Sequence, residues 1–369
     1  MHKTRLLRLA RIAIVLIASL IWSSRVPLIG QSLGQSPKFN QPGNILITDQ
    51  FNNRAIEIDT AGDIVWAFGG LGPGNTTPNS IIGTNDAERV GTLTLLAGTG
   101  IPPAVTTHCK KGCADNRVIL VDPHGNIVWQ YGQFGVTGSG PNQLNTPVQN
   151  TYLPEPHGDF HVLITDQGNG RIIEVRSSDK AIVWEYDGLN SPNSAELLAN
   201  GNVLISDQAN NQALEVTPTP PSGGILVNKY TMAGGIPFNT VAFASRLPGG
   251  HTLITDSANS RIVETDEAGN DYWHFFTNDP VLRPGSNPSP LPTRAVLLAN
   301  GNVLISDQFN HQVFEVTGPA AGMPASIVAD RVYGTINNPG FNPSSALTKL
   351  NAPYSAYVIG DYTGITPPF

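Results

Sequence analysis

The chain has 369 residues, 13% of them charged, and its formal net charge is −7 at pH 7. Residues 1–30 hold basic residues and no acidic ones, so the rest of the chain is more acidic than this total. An acidic body argues against nucleic acid as a partner, because that binding depends on neutralising phosphates. The 38 Gly and 30 Pro residues punctuate patterned strands, which favours a loop-rich all-β protein over a disordered chain.

Residues 1–30 form a basic start followed by an apolar run over residues 12–22, which only Ser19 interrupts. This layout predicts an export signal. The run is short for a membrane span, which needs roughly 20 residues. Residues 26–30 extend the apolar character and no clear cleavage site follows, so a cleaved signal peptide and an uncleaved anchor both stay open. We expect an exported protein (periplasmic, extracellular or anchored on the outer side of the cytoplasmic membrane), with a linker over residues 31–42 and a folded domain over 43–369.

One phrase recurs six times in the body of the chain. It begins as GNILITDQFNNRAIEIDTAGDIVWAFG, and its copies cover residues 43–69, 114–132, 161–188, 201–216, 251–276 and 301–316. Repetition at this spacing indicates a modular architecture in which each copy is one supersecondary unit.

The elements of one unit are clearest in the first copy. Residues 45–48 are an apolar, β-branched strand, residues 49–53 a turn, and residues 54–59 an alternating strand. A tight turn leads into another strand over 64–68. A further strand precedes the phrase, as in residues 189–198 before the fourth copy. Each unit is therefore predicted to be four antiparallel strands, the blade of a β-propeller.

The two ends of the body complement each other. Residues 350–358 match the strand that precedes a copy, but no copy follows them, whereas the first copy has no such strand before it. Joining the two removes exposed sheet edges. The sequence thus predicts an all-β, six-bladed β-propeller of four-stranded antiparallel blades, closed by a C-terminal strand that enters the N-terminal blade.

Acidic and basic residues recur at fixed positions of the phrase. An Asp ends the strand before the turn, and a basic residue often begins the strand after it. A ring of carboxylates is a candidate cation site, but repetition in every blade favours a structural role, in which each carboxylate accepts loop N–H groups. Each basic residue is expected to pair with a nearby Asp or Glu, and anion binding is the less favoured alternative. The positions are Asp49, Asp166, Asp207, Asp256 and Asp307, with Arg54, Arg117, Arg171 and Arg261.

A cysteine pair and a histidine pair are further candidates for chemistry. Cys109 and Cys113 are predicted to form a disulfide that staples the second copy, with Lys111-Gly112-Cys113 standing where other copies have Thr-Asp-Gln. A zinc site there would have two Cys and one His, an incomplete set. His157 and His161 have a metal-like spacing, but that spacing aligns ligands only on a helix, and here it falls at a turn. No metal or cofactor is predicted.

Two stretches carry a resemblance to a known family. Residues 132–147 resemble the loop between NHL repeats, and residues 166–175 resemble the Asp-x-x-Asn-x-Arg-Val signature of that repeat. The resemblance covers nearly all of 40–360 and implies a six-bladed propeller, a scaffold that such proteins use for protein binding, RNA binding, lyase or hydrolase activity. A weaker resemblance to arylsulfotransferase-like and quinoprotein-like propellers rests on the Asn-Gly-Asn-Val-Leu-Ile and Ile-Val-Trp-Glu-Tyr phrases. Those sulfotransferases use a histidine that residues 193–196 and 293–296 do not supply.

Function is predicted by elimination. We expect a monomeric, non-catalytic binding module, exported or tethered through its N-terminal segment, whose loop face takes a protein, peptide or glycan. The alternative is an enzyme at the mouth of the central channel: a lyase or hydrolase using a divalent cation or, less favoured, an arylsulfotransferase. The predicted binding residues follow the second strand of a blade and are Gln50, Asn52, Gln167, Asn169, Gln208, Asn210, Gln308 and His311.

Overall fold

The computed structural model describes residues 36–365, with the exception of residues 71 and 73. The predicted export signal and its alternative, an N-terminal anchor, lie outside these residues. Within the described part, no helix has the length and apolar character needed to span a bilayer.

The described chain folds into six four-stranded antiparallel sheets, which we number as blades 1–6. The strands of blades 1–3 run from the innermost to the outermost as follows. Blade 1 has β26 (Pro353–Val358), β1 (Ile45–Asp49), β2 (Arg54–Ile58) and β3 (Ile64–Gly69). Blade 2 has β4 (Thr84–Val90), β5 (Leu93–Gly98), β6 (Arg117–Val121) and β7 (Ile127–Gly132). Blade 3 has β8 (Pro147–Pro154), β9 (Phe160–Asp166), β10 (Arg171–Arg176) and β11 (Ile182–Tyr186).

Blades 4–6 repeat the same order. Blade 4 has β12 (Pro192–Leu197), β13 (Val203–Asp207), β14 (Gln212–Pro218) and β15 (Gly224–Tyr230). A two-stranded hairpin, β16 (Met232–Ala233) and β17 (Ile236–Pro237), follows it. Blade 5 has β18 (Val241–Arg246), β19 (Thr252–Asp256), β20 (Arg261–Thr265) and β21 (Asp271–Phe276). Blade 6 has β22 (Pro292–Leu297), β23 (Val303–Asp307), β24 (Gln312–Val316) and β25 (Ile327–Tyr333).

Closure of the ring by the C-terminal strand is confirmed. β26 pairs with β1, with Ile45 opposite Val358. The innermost strands β4, β8, β12, β18, β22 and β26 each contact the next, and β26 contacts β4, so they surround a central channel. The six-bladed propeller predicted from the repeats is therefore the observed fold.

The middle strands are buried on both faces because each blade is packed between two others. All five residues of β1 and all five of β2 are buried, as expected for apolar strands with a neighbour on each side. Tryptophans of the outermost strands complete this packing: Trp66 and Trp184 are buried, and the indole Nε1 of Trp184 donates to Gly223 O at 2.8 Å in the next blade.

A short 3₁₀ turn follows the second strand in five blades and ends at a residue with positive φ. These turns are Gln50–Asn52, Gln167–Asn169, Gln208–Asn210, Ser257–Asn259 and Gln308–Asn310. Two other 3₁₀ turns, Pro156–Gly158 and Pro319–Ala321, lie elsewhere in the chain. His157 lies in the first of these, as the predicted turn role for the histidine pair requires.

Two details differ from the sequence interpretation. The strand of blade 2 that matches the Thr-Asp-Gln phrase is β5, so the alignment with Lys111-Gly112-Cys113 is wrong: residues 99–116 are an insertion between β5 and β6. In addition, residues 36–42, assigned to the linker, pack on the propeller, with Phe39 buried against Trp66 at 6.2 Å between ring centroids.

Candidate functional site

The repeated Asp residues are fully occupied by structural contacts in most blades. In blade 1, Asp49 Oδ2 accepts hydrogen bonds from Arg54 Nε and Asn52 Nδ2, both at 2.8 Å, while its Oδ1 accepts the N–H of Asn351 at 2.7 Å. Blades 3 and 5 repeat this arrangement at Asp166 with Arg171 and at Asp256 with Arg261. Burial raises the pKa of Asp49, and the nearby Arg54 cation counters this effect. These carboxylates therefore join the turn to the loop before the innermost strand of the same blade.

Blade 2 supplies its carboxylate from an unexpected position. Asp115, inside the insertion, accepts Arg117 Nε at 2.5 Å through Oδ1 and the N–H of Ile82 at 2.7 Å through Oδ2. It is buried, and this burial raises its pKa. Asp115 thus has the structural role that Asp49 has in blade 1. It lies two residues before its Arg, whereas Asp49 lies five residues before Arg54, and this different spacing is why the repeat pattern did not reveal it.

Blades 4 and 6 lack the Arg, and each replaces it differently. In blade 4, Gln212 Nε2 donates to Asp207 Oδ2 at 2.7 Å. In blade 6, Arg283 comes from the loop after blade 5 and donates to Asp307 Oδ2 at 3.1 Å.

Asp307 also lacks a loop donor. Its Oδ1 is buried and has no hydrogen-bond partner, because Pro290 occupies the position where Asn351, Asn145 and Asn190 donate an N–H in other blades. Burial raises the pKa of Asp307 to about 6.

A second repeated contact joins the blades to one another. The side-chain oxygens of Asn53 and Asn211, at the ends of their turns, accept the N–H of Gly83 and Thr240 in the next blade at 2.9 and 2.7 Å. Where blade 6 meets blade 1, His311 Nδ1 accepts the N–H of Ala352 at 3.1 Å. Burial lowers the pKa of His311 to about 4, so this nitrogen is unprotonated at neutral pH and free to accept. The predicted binding residue His311 therefore lies in the closure seam.

A cavity of about 790 Å³ opens at the mouth of the channel, on the face where the innermost strands begin. Its wall is mostly amides, hydroxyls and backbone of the turns and inter-blade loops. It includes Gln50, Gln167 and Gln208 of the predicted binding residues, whereas Gln308, His311, Asn52, Asn169 and Asn210 are not in the wall. The three asparagines instead donate to the Asp carboxylate of their own turn at 2.7 to 2.8 Å.

The glutamines of the wall are held by hydrogen bonds that run around the channel. Gln308 Nε2 donates to Gln50 Oε1 at 2.7 Å, and Gln50 Nε2 donates to Asn85 Oδ1 at 2.6 Å. On the opposite side, Gln167 Nε2 donates to Gln208 Oε1 at 3.1 Å. Since these bonds link different blades, the wall amides are fixed by the closed ring.

The floor of the cavity is formed by Tyr354 of β26. Its hydroxyl donates to Asn193 Oδ1 at 2.7 Å, and burial raises its pKa to about 12, so it keeps its proton. Asn193 Oδ1 also accepts Gln167 Nε2 at 3.1 Å. The floor is thus a neutral hydrogen-bonded layer.

A charged cluster lies deeper in the channel. Arg294 of blade 6 reaches across to Asp86 of blade 2, with Nη1 and Oδ1 2.6 Å apart, and its Nη2 lies 3.9 Å from Glu196 Oε1 in blade 4. Glu88 Oε2 accepts the N–H of Tyr152 at 2.7 Å, while its buried Oε1 has no partner. Burial raises the pKa of Glu88 well above its usual value. The spaces beside this cluster are about 10 Å³ each, the size of one water molecule, so no substrate fits there.

The cysteine insertion forms one side of the cavity wall. Cys109 and Cys113 are joined by a disulfide with their Cα atoms 5.4 Å apart. Ile101 and Cys113 exchange backbone hydrogen bonds at 2.8 and 2.9 Å, which ties the base of the insertion. Ile101, Pro102, Lys111 and Gly112 face the cavity from this insertion, and the repeat pattern gave no sign that it would.

No grouping of three or more His, Cys, Asp or Glu suited to holding a metal ion occurs in the part of the chain that the structure describes.

Comparison with solved structures finds the same type of fold at low sequence identity. A streptogramin B lyase structure aligns with a TM-score of 0.50 at 14% identity, covering 84% of this chain and 90% of that chain. The periplasmic gluconolactonase of Pseudomonas aeruginosa aligns with a TM-score of 0.47 at 11% identity, covering 85% and 98%. The virginiamycin B lyase of Staphylococcus aureus aligns with a TM-score of 0.43 at 15% identity, covering 78% and 85%.

At these identities the likeness shows the fold alone, so the class of this protein is a six-bladed β-propeller. The three structures reported above are two lyases and a gluconolactonase, and they do not single out NHL-repeat proteins. No protein-family model matches the chain, and no curated protein matches it.

Proposed function

We propose that this propeller is a non-catalytic module that binds a polar ligand in the cavity at the mouth of its channel. The composition of the wall carries this proposal. Most of the described residues that line the cavity carry a side-chain amide or hydroxyl, and none carries a carboxylate or an imidazole. General acid–base catalysis and the binding of hard cations depend on such groups, whereas amides and hydroxyls orient a ligand through hydrogen bonds.

The size and stiffness of the cavity support binding. A volume of about 790 Å³ falls in the range of small-molecule sites, roughly 300–1,000 Å³. The wall amides are already ordered, because Gln50 is held by both Gln308 and Asn85. Pre-ordering reduces the side-chain entropy lost on binding, which favours affinity.

Export is part of the proposal. The basic and apolar pattern of residues 1–30 is typical of an export signal, and a disulfide such as Cys109–Cys113 persists in oxidising compartments. Cell fractionation followed by intact-mass measurement of each fraction tests this. Recovery of the protein only from the soluble cytoplasmic fraction, with residues 1–30 retained, would contradict export.

The experiment for the binding function uses the full chain against immobilised saccharide and peptide panels. Ligands that bind are then titrated into Gln208→Ala and into Gln130→Ala, a control on the outermost strand of blade 2. We expect Gln208→Ala to weaken binding and Gln130→Ala to leave it unchanged, with the ligand recovered chemically intact by mass spectrometry. Equal affinity of both variants, or conversion of the ligand, would refute the proposal.

A second candidate is an enzyme of the channel, favoured by Glu88. A buried carboxyl with one unpaired oxygen and a raised pKa has the properties of a general acid. Because the adjacent space holds only one water, this activity requires the channel to open. Turnover by wild type that Glu88→Gln abolishes would establish the enzyme instead of the binding module.

A further inference from the structure

The wall of the mouth cavity contains side-chain N–H donors that are not used by the protein. The acceptor oxygens of Asn85 and Gln208 are occupied, since each receives a glutamine Nε2 at 2.6 and 3.1 Å. Their own amide nitrogens, Asn85 Nδ2 and Gln208 Nε2, donate to no protein atom among the described residues. The cavity therefore offers N–H groups to whatever enters it, which suits a ligand rich in oxygen acceptors.

One cation stands in this wall. Lys111 lies on the disulfide-tied insertion, is exposed, and makes no ion pair with any described residue. It is the one charged side chain among the lining residues that the structure describes, because Tyr354 keeps its proton with a pKa of about 12. A lone ammonium in the same cavity wall as unused amide donors forms an electropositive point in an otherwise acidic protein.

We propose that the ligand is a saccharide that bears a carboxylate, with the carboxylate bound by Lys111 and sugar oxygens bound by Asn85 and Gln208. This inference rests on the binding function proposed above and names its ligand class. Ammonium–carboxylate hydrogen bonds are stronger than neutral ones, so they set the preference for an acid. Sugar hydroxyls both donate and accept, and Gln167 Oε1, also in the wall, accepts nothing from the described residues and is available to a hydroxyl.

The wall favours a saccharide over a peptide for a simple reason. Apart from the ring of Tyr354 on the floor, the larger apolar side chains that line the cavity are Ile101 and Pro102, both on the insertion. Peptide recognition usually relies on pockets for apolar side chains or on an exposed strand edge. The turns that surround the mouth offer neither.

The test compares two probes of equal chain length, tetragalacturonate and its fully methyl-esterified form, by isothermal titration calorimetry with the full-length protein. The ester removes the charge and keeps the sugar. We expect the acid to bind about tenfold more tightly, since a hydrogen bond to a charged group contributes more than a neutral one. This preference should shrink as the salt concentration rises.

Two variants locate the effect. Lys111→Gln should bind acid and ester equally, whereas Lys110→Gln, an adjacent exposed lysine outside the cavity wall, should keep the tenfold preference. Both substitutions are at exposed positions, and equal melting temperatures would show that folding is unaffected.

The outcomes separate this inference from the function on which it rests. Equal binding of acid and ester by wild type, with binding still weakened in Gln208→Ala, overturns the charged ligand class and keeps the binding function. Loss of acid preference in both lysine variants overturns the role of Lys111. If neither probe binds while a peptide binds the cavity, the assignment of a saccharide as the ligand class is overturned.

Discussion

Replacing Pro290 with asparagine should stabilise blade 6. Asp307 is buried and its Oδ1 has no partner, because Pro290 has no N–H at the position where Asn351 donates to Asp49 at 2.7 Å. Pro290→Asn restores that donor, and the carbonyl of residue 290 can continue to accept the N–H of Phe309. The variant thus gives blade 6 the same contact that blade 1 has.

The size of the effect follows from the pKa of Asp307. Burial raises it from 3.8 to about 6; at about 1.4 kcal/mol per unit this is a penalty on the order of 3 kcal/mol for ionising the group in the folded protein. Because the folded state binds the proton more tightly than the unfolded state, wild-type stability should fall as pH rises from about 4 to about 6. A restored N–H to a carboxylate contributes roughly 1.5–3 kcal/mol, and loss of the stiff proline costs about 0.4–1 kcal/mol. The net gain at pH 7 is therefore about 1–2 kcal/mol.

Urea unfolding at several pH values measures both quantities. Pro288→Asn is the matched control, since this proline is exposed in the same loop and its loss affects mainly the unfolded chain. Pro290→Asn should be more stable than wild type at pH 7, and the difference should shrink toward pH 4, as Asp307 takes up its proton. A gain that does not depend on pH, or a loss equal to that of the control, would contradict the assignment of the orphaned oxygen to Pro290.

Three further predictions concern the seam, the channel and the insertion. His311→Asn should preserve the contact with Ala352. It should also remove a loss of stability that wild type shows as pH falls from about 6.5 to about 4, because only the unfolded state binds that proton; unfolding free energies at pH 7 and pH 4.5 give the result. Glu88→Gln should be more stable than wild type at alkaline pH and similar at acid pH, since burial disfavours the ionised carboxyl; a pH series of melting temperatures would show this. Replacing Cys109 and Cys113 together by serine should cost at most about 2 kcal/mol, because the closed loop is short, yet weaken ligand binding through the loosened wall; calorimetric unfolding and binding titrations separate the two effects.

The sequence was sufficient for features that are local and periodic. Each copy contains its own strands and turn, so a structural role for Asp49 and an acidic partner for Arg54 could be predicted, and the structure places Asp49 Oδ2 2.8 Å from Arg54 Nε. The closing strand could be predicted for the same reason. Residues 350–358 repeat the sequence of an innermost strand, and the first copy lacks such a strand before it.

The effects of insertions and substitutions within the repeat could not be predicted from the repeat pattern. Asp115 escaped notice because the insertion of residues 99–116 changed its distance from Arg117. The role of Arg283 was also invisible, since this arginine comes from a loop outside the phrase to serve Asp307. His311 shares a sequence position with Asn53, but only the geometry of the seam shows that its nitrogen accepts a backbone N–H.

By itself, the sequence determined the number of blades, the order of their strands and the way the ring closes, because these depend on contacts within one repeat or between its two separated halves. Only the tertiary structure decided what occupies the axis. Arg294 meets Asp86 at 2.6 Å although they are 208 residues apart, and the mouth cavity collects side chains from several blades and from the cysteine insertion. The curvature of the ring brings these residues together, so their proximity cannot be predicted from their spacing along the chain.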